Sequence, residues 1–142
     1  MRLTIIAEGK LRERGLREVA DDYLARIRRR IRCDEVEVRN AGALLKALPA
    51  GARIVALDVR GRSLTSRDFA GLLAEWAERG DPHVAFLVGG ASGLSSAVMG
   101  RAHERLSLSP LTLPHRLARI VLVEQIYRAT TIQRGEPYAR ED

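Results

Sequence analysis

Apolar positions along the chain alternate between two periods. Residues 2–7, RLTIIA, are β-branched and apolar with a glycine soon after, and predict a first strand. From about Leu16 to Arg30 the period changes to that of a helix, with Leu16, Val19, Ala20, Tyr23, Leu24 and Ile27 on one face. EVEVR (35–39) alternates like a half-buried strand near a sheet edge, and a short helix over 42–48 is closed by Pro49. RIVALD (53–58) is continuously apolar between its terminal arginine and aspartate, as a central parallel strand is.

VRGRSLTS then reads as a loop. Thr65 with Asp68 opens a helix that ends near Gly80 and carries Phe69, Leu72, Leu73 and Trp76 toward the core. HVAFLV (83–88) predicts another buried strand, running into a glycine turn, GGASGLS, and a short helix from about Ser95. ERLSLS (104–109) predicts a fifth strand, and a last helix runs from about Pro114 to Thr131. Strands alternating with helices give an α/β fold, a mostly parallel sheet with helices on both faces, and residues 1–142 read as a single domain.

Two segments break the usual rule that loops are polar. SPLTLP (109–114) is a loop of leucines and prolines, costly to leave exposed, so something should cover it. Its rigid backbone leaves the polar groups of Leu111, Thr112 and Leu113 to read a planar base in an apolar slot; packing within its own domain is the other reading. In the helix that follows, Leu117, Ile120, Val121, Leu122, Val123, Ile126 and Tyr127 cover more than one face. A helix buried on two sides in so small a domain predicts a symmetric dimer.

Charge changes the picture little. The formal net charge is +6 and the pI near 10.4, compatible with an acidic partner such as nucleic acid. Lys10 and Lys46 are the only lysines, and so strong an arginine bias often follows genome composition. The RIRRRIR cluster (26–32) sits at a helix end, where cations complement the helix dipole or contact phosphate. A lone cysteine, Cys33, excludes an internal disulfide and a cysteine-based zinc site. No run is long enough to span a bilayer and the N-terminus lacks a signal-peptide layout, so a cytoplasmic protein is expected.

Several chemistries are excluded by their missing motifs. GGASG is not GxGxxG, and there is no P-loop. His83, His103 and His115 lack metal-ligand spacing, and no serine lies in GxSxG, so neither a metal centre nor a hydrolase triad is expected. His115 reads as a cap or surface residue, and Glu124 with Arg128 as an i,i+4 structural pair. What remains is a ligand site beyond the carboxyl ends of the strands, at Leu57-Asp58, Gly89-Gly90 and 109–114.

At these residues the chain resembles the large-subunit methyltransferase H family of SPOUT-class ribosomal RNA methyltransferases. The likeness rests on Leu57-Asp58, LVGGASGLS, SLSPLTLPH, LVEQIYRA and the PYxRE tail, and it runs along essentially the whole chain. The resemblance implies a C-terminal trefoil (SPOUT) knot, a homodimer, and S-adenosylmethionine held by Leu57, Gly90, Ser109, Pro110, Leu111, Thr112, Leu113 and Pro114. It implies methylation of N3 of a pseudouridine in the large-subunit (23S) rRNA, on assembled ribosomes. Tail residues Tyr138, Arg140 and Glu141 are then the catalytic candidates.

One position departs from the family's tail, which often reads PYHR where this chain has Pro137-Tyr138-Ala139-Arg140. Alanine cannot take the N3 proton. Either Glu141 or Asp142 does so, or solvent does while Arg140 stabilises the anion. A SPOUT enzyme acting on another RNA such as tRNA, a non-catalytic ribosome-binding relic, and a nucleotide-binding regulatory domain are the rival readings.

Overall fold

The computed structural model describes residues 1–141. Five strands among them form one parallel sheet in the order β2-β1-β4-β3-β5: β1 (Arg2–Glu8), β2 (Arg32–Val38), β3 (Arg53–Ser63), β4 (His83–Val88) and β5 (Glu104–Ser107). Helices α1 (Arg14–Arg28), α2 (Ala41–Ala47), α3 (Ser66–Glu78), α4 (Ser96–Met99) and α5 (His115–Gln133) connect or follow them, and a 3-10 turn covers Pro137–Glu141.

The two faces of β1 separate the core into two layers. Leu3, Ile5 and Ala7 point to one side and pack under α1, α3 and α5, with Leu24, Phe69, Trp76, Leu122 and Ile126. Ile6 points to the other side, with Ile54 and Leu87, beneath Leu44 of α2 and Val98 of α4. Burial on both faces is why β1, β3 and β4 read as continuous apolar runs. β2 lies at the edge, as its alternating EVEVR pattern predicts. Trp76 is buried against Phe86, with ring centroids 6.5 Å apart.

Local chemistry places the helix starts. The Thr65 hydroxyl accepts the Asp68 N–H at 3.0 Å, the predicted cap, and Ser95 caps α4 in the same way. α5 differs: its N-cap position is Pro114, and no side chain caps it.

The sequence reading missed the far half of β3. VRGRS is not a free loop but part of the strand, whose register slips. Leu57 and Arg62 both face Leu106, so residues 58–61 bulge outward. Gly61 lies so close to β5 that a Cβ would stand 2.7 Å from the Arg105 carbonyl carbon. Periodicity cannot reveal a pairing that resumes after a bulge.

Candidate functional site

Beyond the carboxyl ends of β4 and β5, and beside the bulge within β3, a cavity of about 590 Å³ opens. Leu57, Asp58, Val59 and Arg60 form one wall, Val88 to Leu94 a second, and Leu108, Ser109 and 111–114 a third, with Met99, His115 and Ala118 at its margins. Each wall follows from local sequence. The first is the β3 bulge. The second is the glycine turn, in which Gly93 takes a φ of 77° and its N–H donates to the Gly90 carbonyl at 2.9 Å. Gly89 has no room for a side chain, because a Cβ there would lie 2.6 Å from the Gly93 carbonyl carbon. Beneath the turn, the Gly90 N–H donates to Glu8 Oε2 at 3.2 Å.

The third wall is held by its own serines. Ser107 donates to the Ser109 carbonyl at 2.9 Å, and the Ser109 hydroxyl accepts the Leu111 N–H at 3.0 Å. That bond corrects one expectation: the Leu111 N–H is occupied by the loop itself and is not free to read a ligand. Thr112 and Leu113 make no such bond among the described residues. The Leu111 side chain is 74% exposed at the rim, so the apolar loop is not covered by its own domain there.

Behind the third wall stands an ionic network that no motif or spacing announces. Arg119, only 2% exposed, donates to Glu37 and, at 2.9 Å, to the Gly9 carbonyl. Arg17 of α1 donates to Glu35 at 2.6 Å and to Glu37 at 3.3 Å, and the Leu11 N–H donates to Glu37 at 2.8 Å. Burial pushes the Glu37 carboxyl upward, but the Leu11 N–H and the two guanidiniums outweigh it and hold it below its ordinary range. Arg116, one turn earlier, pairs with Glu13. The uncapped start of α5 is thus fixed by side chains reaching back to β2 and to the segment between β1 and α1.

Of the residues expected to hold a cofactor, Leu57, Gly90, Ser109, Leu111, Thr112, Leu113 and Pro114 line this one cavity. Pro110 shapes the same loop without lining it. Asp58, Val88, Gly89, Met99, Ala118 and His115 join them; His115, expected to be a cap or surface residue, is half-buried at the margin. The neighbouring loops gave the signal for Asp58 and Gly89, whereas Met99 and Ala118 carry none in sequence.

The expected catalytic residues lie elsewhere. Tyr138 sits at the far end of α5, its hydroxyl 3.0 Å from that of Tyr23 and 3.3 Å from Glu124 Oε2. Its hydroxyl pKa is raised, first by burial and then by those two neighbours. Its ring meets Tyr127 edge-on at 4.8 Å, and Arg128 stacks over it at 5.0 Å. Glu124 and Arg128 do form the expected pair, at 3.0 Å. Arg140 is exposed, Ala139 is buried, and Glu141 ends the 3-10 turn; Asp142 lies outside the described residues. Glu124 is ten residues beyond Pro114, roughly 15 Å along a helix. Cavity and tail therefore stand apart within one chain.

The basic cluster is largely occupied by the fold. Arg28 donates to the Cys33 carbonyl at 2.8 Å, Arg30 to Glu136 at 2.7 Å, and Arg26 pairs with Asp22 at 2.9 Å, leaving Arg29 and Arg32 exposed. Among the described residues no group of three or more histidines, cysteines or acids could hold a metal ion, and no helix is long and apolar enough to cross a membrane.

A parallel sheet with a glycine turn and an apolar loop enclosing a cavity at its carboxyl edge defines an α/β protein with room for a nucleoside-sized ligand. The chain belongs to the SPOUT methyltransferases: the family model described as "Predicted SPOUT methyltransferase" matches residues 1–139. It is 50% identical to the ribosomal RNA large subunit methyltransferase H of Sorangium cellulosum, over 98% of this chain and 99% of that one. It is 45% identical to the enzyme of the same name from Anaeromyxobacter dehalogenans, over 97% and 99%. The crystal structure of a probable methyltransferase from Bordetella pertussis shares the fold, with a TM-score of 0.56 over 90% of this chain and 95% of that one, at 17% identity.

Proposed function

We propose that this chain transfers a methyl group from S-adenosylmethionine to N3 of a pseudouridine in large-subunit (23S) rRNA, acting on assembled ribosomes in the cytoplasm. The observation that carries the reading is the three-walled cavity. Its volume suits a nucleoside cofactor, Leu57, Val88 and Leu113 offer apolar contact to an adenine, and the glycines let backbone approach closely. When bound, the cofactor supplies an electrophilic methyl group. The relatives named for rRNA methylation support the substrate class.

The chain's own residues divide the work. The backbone of 109–114, fixed through Arg119 and Arg116, orients the cofactor. On the tail, exposed Arg140 stabilises the imide anion left when N3 gives its proton to solvent, because Ala139 offers no base. Holding N3 in line with the methyl carbon then supplies much of the rate.

Tail and cavity meet through a homodimer. The outer face of α5 is apolar toward its start, where Leu117 is 43% exposed and Ile120 and Val121 are half-buried. A two-fold axis across that face sets the two α5 helices antiparallel and carries each tail toward the partner's cavity. α5 packs against both α1 and α3, although its chain arrives from β5, beyond β3. That route past residues 58–65, with Gly61 pressed on β5, supports the trefoil knot.

The test is methyl transfer from labelled S-adenosylmethionine to ribosomes lacking the modification, with the product nucleoside identified by mass spectrometry. N3-methylpseudouridine on ribosomes but not on free rRNA is expected. Methylation of tRNA instead, or cofactor binding without product, overturns the reading in favour of another RNA target or a ribosome-binding relic.

A further inference from the structure

The cavity contains more negative charge than its apolar walls require. Asp58 lines it directly, its side chain 16% exposed. Asp58 Oδ1 accepts the Arg60 N–H at 3.3 Å, and the Arg60 guanidinium stands 3.9 Å away, 87% exposed and screened by solvent. A second carboxylate, Glu8, does not line the cavity but lies directly behind the glycine turn that forms its second wall. Its Oε2 accepts the Gly90 N–H, while its Oε1 is buried with no hydrogen-bond partner. A carboxylate oxygen shut from water without a partner is costly, so a nearby positive charge would relieve it. His115 is the other titratable group at the margin, and no lysine lines the cavity.

Resting on the reading above, we propose that Asp58 and Glu8 are specificity-determining residues that let the cavity distinguish the methyl donor from its demethylated product. The donor carries a sulfonium cation that S-adenosylhomocysteine lacks, and the two molecules are otherwise nearly the same shape. Apolar walls and backbone contacts therefore bind both alike, and only a field within the site separates them. Asp58 in the lining and Glu8 behind the glycine turn supply such a field, strengthened where the walls exclude water. Occupancy by spent cofactor would fall, and turnover would be less inhibited by product.

The test uses Glu8→Gln, Asp58→Asn and the double variant of the full chain, with dissociation constants for S-adenosylmethionine and S-adenosylhomocysteine measured by calorimetry. Each substitution keeps shape and one acceptor oxygen while removing charge, and a thermal melt of each variant confirms that it folds. In the double variant the preference for donor over product falls about tenfold, while affinity for the product changes by less than about twofold. Equal weakening of both ligands would assign the carboxylates a merely structural role and overturn the proposal, as would an unchanged ratio. Failure of the unsubstituted protein to bind either ligand would overturn the cofactor assignment itself.

Discussion

The buried guanidinium of Arg119 on α5 donates to the Glu37 carboxylate on β2, across 82 positions of sequence. Through this contact the helix that follows the apolar loop is anchored to the first half of the chain. Because α5 has no side-chain N-cap, tertiary contacts of its side chains hold its first turns in place.

Arg119→Ala leaves the partly buried Glu35 and Glu37 beside an empty space, with Arg17 as their remaining cationic partner. Loss of one member of such a pair costs about 3–5 kcal/mol. Urea unfolding should show a loss of unfolding free energy of that size, with cofactor affinity reduced more than the melting temperature alone implies. An Arg119→Ala protein as stable as the parent would refute the anchor.

The same network gives the protein an acid limb. Glu37 is held below its ordinary value of 4.5, so the folded state binds its proton less readily than the unfolded chain. Its contribution is fully present above the unfolded pKa and is lost as pH falls through the lower, folded one. Stability measured downward from about pH 5 should therefore fall less steeply in Glu37→Gln than in the parent.

Gly89 should tolerate no side chain. A Cβ there meets the backbone of Gly93 and Leu94 at 2.6 and 2.7 Å, so the turn must open. Gly89→Ala is expected to cost about 1–3 kcal/mol of stability. Calorimetry should also record a loss of about tenfold or more in S-adenosylmethionine affinity.

The tail divides the two proton-transfer schemes. With solvent as proton acceptor, Arg140→Ala lowers single-turnover methylation by about a hundredfold, and Glu141→Gln leaves it near the parent rate. The opposite pattern would make Glu141 the base.

Cys33 is buried, and burial pushes its thiol up to about 12. With little thiolate and no access, it should resist a disulfide reagent in the native protein and react at once in denaturant. Rapid native labelling at neutral pH would show that β2 opens locally.

Much of this was legible in the residues. The alternation of periods defined the α/β order, Thr65 and Ser95 marked helix starts, and the glycine turn and SPLTLP loop marked two walls of the cavity. Those features are local: a strand or turn is encoded by neighbours within a few positions. Tertiary structure alone decided the rest. The β3 register resumes only because Arg62 finds Leu106, and Arg119 is tolerated in the core only because Glu37 meets it there. The residues of SPLTLP and of the tail are close in sequence, yet the length of α5 holds them apart, a separation set by the fold and not by either motif. Pairings between distant positions leave no period in the sequence, because each partner alone resembles an ordinary surface charge.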